Sequence, residues 1–376
     1  MQVIVLGGGY AGLTLVRELE AVVSADVNLT LVDERESHLV QHLLHRTVRV
    51  PSLADRLLIP FEEVLSRTTH RQARVTGIDY DRRVVELTDG TLTYDICLVC
   101  LGGTTAFHGL SGVETHATPL KRPSHAQEIR TTFDSLLETG GRVIVGGAGL
   151  SGIQLAGELA ELAVGADTPP EILLLEEAQT VAPTFSETFQ MAIREELDAR
   201  GVDVWTGQRV VRADTERVTL ASGTELDYDQ FVWTGGIRGQ DALAGERPVV
   251  RATLRLDDRL FGLGDAVRVI DADGAAVPAT AQAAIGQAAV GATNVDRLVR
   301  YLQDGSGFEP LLKQYRQQSP GWVVSVGDGT VAQVGPSVLQ GLPARTLKTT
   351  LGARYIGSLG QVENALGYVR ETFDGR

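Results

Sequence analysis

Two stretches of this chain put glycine where backbone must come close to something else: Gly7-Gly8-Gly9-Tyr10-Ala11-Gly12 and Gly147-Ala148-Gly149-Leu150-Ser151-Gly152. Both have the spacing G-x-G-x-x-G. Each follows an apolar run of buried-strand type, Val3-Ile4-Val5-Leu6 and Val143-Ile144-Val145, and each runs on into a helical pattern. The first glycine of such a motif (Gly7, Gly147) allows the tight strand-to-helix turn. The second (Gly9, Gly149) lets backbone approach a pyrophosphate, and the third (Gly12, Gly152) lets the helix pack closely on the strand. The helix N-terminus then offers N–H groups and a positive dipole end to phosphate.

An acid about twenty residues further on, suited to ribose hydroxyls, completes the pattern. Asp33 ends the run Leu29-Thr30-Leu31-Val32, and Glu176 ends Glu171-Ile172-Leu173-Leu174-Leu175. One G-x-G-x-x-G alone is weak evidence, because glycine turns are common. Two copies in full context point to a flavin and a nicotinamide held for hydride transfer. A third segment, Leu260-Phe261-Gly262-Leu263-Gly264-Asp265-Ala266, reads as an apolar strand ending in Gly-Asp. It can set Gly264 against flavin phosphate and Asp265 against the ribitol hydroxyls; a plain strand-end turn is the alternative.

The elements that position these residues form a repeated plan. Residues 1 to about 105 read as strand, helix, strand and a helical region holding Leu53 to Leu65. A meander follows around Arg74–Ile78 and Arg83–Leu87, then a strand from Ile96 that stops at Gly102-Gly103. A helix from His125 to Leu137 leads into the second fingerprint; Phe189 to Arg200 reads as another, and Phe231-Val232-Trp233-Thr234 stops at Gly235-Gly236. The expectation is an α/β fold with two Rossmann-like dinucleotide-binding domains, the FAD domain split by an inserted NAD domain, plus a C-terminal helical or mixed segment. The expected division is 1–115 and 241–335 for FAD, 116–240 for NAD(H), and 336–376 for membrane association or dimerisation.

The bulk composition narrows the class. The 376 residues allow two or three domains with real cores, and 43% hydrophobic content is ordinary for a globular protein. A net charge of −14 argues against nucleic acid as a partner. No apolar stretch reaches membrane-spanning length and the chain enters a strand directly, so a cytoplasmic location is expected, peripheral on the inner face of the membrane at most. Cys97 and Cys100 lie in an apolar strand-like run, and residues three apart on a strand point to opposite faces. They read as buried thiols, which removes the dithiol-dependent reductases. His38, His42 and His45 lack a chelating pattern, so no metal site is expected.

With these motifs in place, the chain resembles the two-dinucleotide-binding flavoproteins, and among them the type II NADH dehydrogenases, over essentially its whole length. The likeness also rests on His38-Leu39-Val40-Gln41-His42-Leu43-Leu44, Trp233-Thr234-Gly235-Gly236-Ile237-Arg238, Pro278 to Gln287, and Leu347-Lys348 through Gly360. The resemblance implies hydride transfer from NADH to FAD and then two electrons to a quinone of menaquinone or ubiquinone type. It implies FAD on Gly7, Gly9, Tyr10, Ala11, Gly12, Asp33, Glu34, Gln41, Val75, Gly102, Gly264, Asp265, Ala281 and Gln282. NADH falls to Gly147, Gly149, Leu150, Gly152, Glu176 and Gly235.

Gln154, Gln282, Gln287 and Lys348 are implied at the reaction site, Gln282 and Gln287 as hydrogen-bond partners of the flavin edge or a quinone carbonyl. Lys348, one of three lysines with Lys121 and Lys313, matches the family's lysine near the quinone. Two positions depart from the family: Gln154 stands where a glutamate is usual, with Glu158 one turn on, and Gly286 stands where a glutamine is frequent. Glu176-Glu177 favours NADH over NADPH, since a 2′-phosphate would meet two carboxylates.

Leu347, Leu351, Tyr355 and Ile356 share helical spacing with Arg345, Lys348 and Arg354 nearby, a pattern that fits either a membrane interface or docking on the protein. A homodimer is compatible with this segment. Other readings are a sulfide:quinone or protein-carrier reductase, and a flavin- or NADH-binding protein with weak turnover.

Overall fold

A computed structural model describes residues 1–305, 307–318 and 321–374. The chain divides into two compact units, each built from three separated segments. The first consists of Met1–Leu39, Leu58–Thr104 and Arg238–Ser319; the second of Val40–Leu57, Thr105–Ile237 and Pro320–Arg376.

In the first unit, strand Gln2–Leu6 is central because its side chains are apolar on both faces: Val3 to Leu6 are at most 1% exposed. It pairs in parallel with Asn28–Asp33 on one side and Ile96–Val99 on the other. Thr69–Gln72 extends the sheet beyond Asn28–Asp33, and Leu260–Gly262 and then Arg255–Asp257 extend it beyond Ile96–Val99. Only the last pair is antiparallel. Helix Tyr10–Val22 makes the crossover and packs on the long helix Ala281–Asp304. Gly291 permits that approach, since a Cβ there would lie 2.8 Å from Leu263 and 3.3 Å from Leu15. The meander Val75–Asp79, Val84–Leu87 and Gly90–Thr93 packs Val75, Val85 and Leu87 into one core with Ile4, Val32 and Val99.

The second unit repeats the plan with a five-stranded parallel sheet. Its order is Thr118–Pro119, Gln230–Trp233, Arg142–Gly146, Glu171–Leu175, Asp203–Trp205. Helix Leu150–Ala163 follows the second glycine turn. An antiparallel sheet, Gly321–Val326, Gly329–Val334 and Ser337–Gln340, packs on this helix, with helices Leu342–Ser358 and Val362–Asp374 completing the unit. The approach depends on Gly157, where a Cβ would stand 2.3 Å from the Gly327 nitrogen.

Several local expectations change. Leu53 to Leu65 is not a helix: short 3₁₀ turns at Pro51–Leu53, Asp55–Leu57 and Phe61–Glu63 flank the strand Leu58–Pro60. Pro60 can neither donate to a helix nor let the residue before it stay helical, so Leu58–Pro60 pairs with Ser37–Leu39 instead. Residues 40–57 and 321–335 fall in the second unit rather than the first. The expected C-terminal segment packs within that unit too, and its last two residues, Gly375 and Arg376, lie outside the described residues. Its helical spacing mostly marks an inward face: Ile356 is 0% and Lys348 8% exposed, while Leu351 and Arg354 face outward. Among the described residues no helix is long and apolar enough to cross a membrane.

Candidate cofactor sites

The first glycine turn is shaped by contacts that only glycine tolerates. Gly7 has φ +95°, and a Cβ there would sit 2.4 Å from the Cys100 carbonyl oxygen; one on Gly12 would lie 1.8 Å from the Gly7 oxygen. Gly9 is different, with nothing within 4 Å of its missing Cβ. It caps helix Tyr10–Val22 without a side-chain hydrogen bond, so its open side suits a diphosphate.

Asp33 lies at the end of its strand as expected, and its carboxylate also braces the turn. Gly8 N–H donates to Oδ2 at 2.7 Å and Arg35 N–H to Oδ1 at 2.9 Å. An ionised carboxylate can accept about four hydrogen bonds, so capacity for ribose hydroxyls remains. Opposite Asp33, His38 Nδ1 bonds the Gly8 carbonyl oxygen at 2.9 Å. The sequence offered this histidine only as a member of the His38, His42, His45 group and of the likeness over His38–Leu44, and assigned it no role.

Gly264 turns with φ +66° beside the Ala11 Cβ, which a Cβ on Gly264 would meet at 3.0 Å. Its N–H donates to Gln287 Oε1 at 2.7 Å, and Arg247 Nε donates to the Asp265 carbonyl at 2.7 Å. These groups line a small concavity together with Pro278 and Thr280. Gln287 Oε1 is thus engaged on the Gly264 turn, and its amide retains two N–H donors. Gln282 is half-exposed and its Nε2 reaches the Gln318 carbonyl at 3.4 Å. Ala281 opens the helix that Thr280 caps; Gly102 turns with φ +70°; Val75 is buried and Glu34 exposed. Gln41 begins a 3₁₀ turn in the second unit, apart in the chain's division from the other residues expected to hold FAD.

The second turn is built the same way. Gly147 has φ +101°, and a Cβ on Gly152 would lie 2.0 Å from the Gly147 oxygen. Ala148 N–H donates to Glu176 Oε2 at 2.7 Å and Ala178 N–H to Oε1 at 2.9 Å. Thr234 Oγ donates to the Gly147 oxygen at 2.8 Å, tying the turn to the neighbouring strand end, and Gly149 again faces open space. Leu150 starts the helix, and the Gly235 carbonyl is held by His108 Nε2 at 2.7 Å. Both turns therefore fit a dinucleotide.

The second unit also contains a buried charge cluster. Glu158 is 0% exposed, with Arg49 Nε 2.6 Å and Arg46 Nε 3.6 Å from its carboxylate. Lys348 donates to Gln154 Oε1 at 2.9 Å and to Ser325 Oγ, and lies 3.4 Å from His45 Nε2. Burial, reinforced by Arg46, pushes the Lys348 ammonium down to about 7, against the pull of Glu158. Burial also holds His45 well below its ordinary value, and Ser325 bonds its Nε2 at 3.0 Å. So Gln154 and Lys348 do meet, and Glu158 lies in the same cluster, paired with the two arginines.

Both cysteines are free and buried, and burial pushes both thiols well up. No thiolate is available for disulfide chemistry at neutral pH.

Residues 1–288 match the family model described as pyridine nucleotide-disulphide oxidoreductase. The chain belongs to this family. A type II NADH:quinone oxidoreductase of Staphylococcus aureus (strain MSSA476) is 28% identical over 402 aligned residues, spanning 96% of each chain. Among solved structures, NDH2 from Plasmodium falciparum in complex with NADH superposes with TM-score 0.85 at 14% identity, covering 100% of this chain and 99% of that one. The sulfide:quinone oxidoreductase of Aquifex aeolicus gives TM-score 0.82 at 16% identity, covering 99% and 95%. The structural likenesses establish the α/β dinucleotide-binding fold.

Proposed function

We propose that this family member is an FAD-dependent NADH:quinone oxidoreductase of the type II kind. The observation that carries the reading is the pair of glycine turns with identical bracing, in a chain similar over 96% of its length to a Staphylococcus aureus type II NADH:quinone oxidoreductase. The net reaction takes a hydride from NADH and one proton from solvent, and yields NAD⁺ and the quinol. When bound, FAD supplies the two-electron acceptance and release that no side chain provides.

The chain's own residues bind and orient. Gly7, Gly9, Gly12, Asp33, Gly264 and Asp265 hold FAD, with Tyr10, Ala11, Glu34, Val75, Gly102 and Ala281 around them. Gly147, Gly149, Leu150, Gly152, Glu176 and Gly235 hold NADH. Glu176 and the exposed Glu177 select against a 2′-phosphate by charge. Gln154, with its amide oxygen on Lys348, orients without carrying charge. Gln282 and the amide N–H donors of Gln287 are left to bond substrate or cofactor. Peripheral membrane contact falls to the outward residues Leu342, Leu351, Val362 and Leu366, exposed by 48% to 68%. The sulfide:quinone alternative loses support because both cysteines are buried and unactivated.

The test is one purified preparation with its flavin identified, mixed with NADH or NADPH under anaerobic conditions and then assayed with menaquinone and ubiquinone analogues, ferricyanide and sulfide. NADH is expected to bleach the flavin at least about tenfold faster than NADPH, the equivalent of ~1.4 kcal/mol of discrimination. Quinone should be reduced and sulfide not oxidised. A flavin that stays oxidised with NADH sinks the proposal, and faster bleaching by NADPH reverses the cofactor preference. Sedimentation with anionic-lipid vesicles tests the membrane contact.

A further inference from the structure

Gly8 is the middle glycine of the first turn, and the two peptide groups on either side of its Cα are each held by a side chain. Its N–H is bound by Asp33 Oδ2 at 2.7 Å, and its carbonyl oxygen by His38 Nδ1 at 2.9 Å. Gly8 and His38 are both buried. Because a carbonyl oxygen only accepts, the bond assigns the His38 proton to Nδ1. The imidazole is itself fixed: it lies on strand Ser37–Leu39, where His38 pairs with Ile59, and the Tyr10 ring packs edge-on with centroids 5.0 Å apart. Phe61 packs against Gly8 itself, its ring occupying the place a Cβ there would take.

The second turn shows what this arrangement is for. There the middle residue is Ala148, and the peptide groups on either side of it are held as well, its N–H donating to Glu176 Oε2 at 2.7 Å and its carbonyl oxygen accepting from Ala182 N–H at 2.9 Å. Ala182 reaches that position in a left-handed conformation, φ +47°, directly before Pro183. Such backbone is costly for a non-glycine residue, and it persists only where the surroundings enforce it. Both turns thus pin the same peptide, one through main chain and the other through an imidazole.

We propose that His38 is a positioning residue of the first phosphate loop, holding the Gly8 peptide so that Gly9 and the start of helix Tyr10–Val22 present their donors to the FAD diphosphate in one fixed orientation. The proposal rests on the assignment of FAD to the first unit. His38 touches no cofactor atom in this role; it acts through Gly8. Losing the imidazole donor leaves a buried carbonyl unpaired and lets the peptide rotate, which removes preorganisation rather than a ligand contact.

Two replacements separate positioning from packing. His38→Asn keeps an N–H donor near the place of Nδ1, whereas His38→Leu keeps the bulk and removes the donor. FAD affinity is measured by flavin fluorescence on the full chain, alongside NAD⁺ affinity for the second unit by calorimetry. Wild type and His38→Asn are expected to bind FAD within about threefold of each other, and His38→Leu at least about tenfold more weakly, a loss the size of one unsatisfied buried acceptor. NAD⁺ affinity should be unchanged in both.

FAD bound equally well by His38→Leu overturns the role of His38 alone, since the cofactor assignment would stand. Equal weakening in both variants also overturns it, because packing would then be the cause. A wild type that binds no FAD removes the cofactor assignment and the His38 role together. Should His38→Leu fold poorly, the rise in thermal midpoint on adding FAD to His38→Asn still decides: a shift well short of wild type goes against the proposal, and a matching one supports it.

Discussion

Replacing Glu158 by glutamine destabilises the protein by about 3–5 kcal/mol, whereas replacing Lys348 by methionine changes stability by no more than about 1 kcal/mol. The asymmetry follows from the count of charges. Glu158 is the carboxylate that Arg46 and Arg49 share, and it also attracts Lys348. Glutamine preserves its shape but removes the carboxylate from Arg46, 10% exposed, and leaves Arg49, 17% exposed, with the Asp328 carboxylate at 2.9 Å as its remaining ion pair. Lys348 is the opposite case. Its ammonium is already pushed down to about 7 by burial and Arg46, so at neutral pH removing it relieves a cost. That relief offsets the lost hydrogen bonds to Gln154 and Ser325. Urea unfolding of both variants at pH 7 checks the ordering, and a Lys348→Met loss larger than the Glu158→Gln loss would overturn the assignment of charges.

The second large effect is on acid stability. Burial holds His38 at about 4 against an unfolded value of 6.5; Arg35 adds to the depression, while the Gly8 bond and Asp33 oppose it. The unfolded chain therefore takes up a proton that the folded chain refuses. The stability this residue contributes is complete above pH 6.5 and is lost as pH falls towards 4, amounting to about 3 kcal/mol. His38→Asn keeps the donor and removes the titration. The stability gap between wild type and this variant should therefore move by about 3 kcal/mol against wild type between pH 7 and pH 4. A gap that does not change with pH would show that His38 takes up its proton over the same pH range in the folded as in the unfolded chain.

The parts of the molecule legible in sequence are those whose contacts are local or periodic. The glycine turns could be read because Gly7, Gly9 and Gly12 act within one strand–turn–helix unit, and so do Gly147, Gly149 and Gly152. Asp33 and Glu176 could be placed at strand ends by counting. Their bracing of the turns could not, because Gly8 and Ala148 reach them only once neighbouring strands align. The Glu158 cluster has no local signature at all. His45, Arg46 and Arg49 come from one segment, Glu158 from a helix, and Ser325 and Lys348 from the C-terminal part, so only packing assembles them. One hint was present: helix Leu150–Ala163 is apolar around most of its circumference, and a carboxylate in such a helix needs a buried partner. The bond from Gly264 N–H to Gln287 Oε1 was invisible for the same reason, since the two residues meet only when the helix Ala281–Asp304 packs on the Gly264 turn.

The interleaving of the two units also sets a timetable for synthesis. Strand Ile96–Val99 emerges from the ribosome early, but its neighbour on one side, Leu260–Gly262, is made only after most of the second unit. Until then Ile96-Cys97-Leu98-Val99, fully buried in the finished protein, is an unpaired apolar edge. Helix Tyr10–Val22 waits still longer for Ala281–Asp304 to cover it. The second unit has the same problem, because Glu158 meets Lys348 only when the last tenth or so of the chain is made. The first unit cannot close its sheet until Leu260–Gly262 is made, and the second cannot complete its buried charge cluster until Lys348 is made, so each passes through a stage in which surface buried in the finished protein is still uncovered.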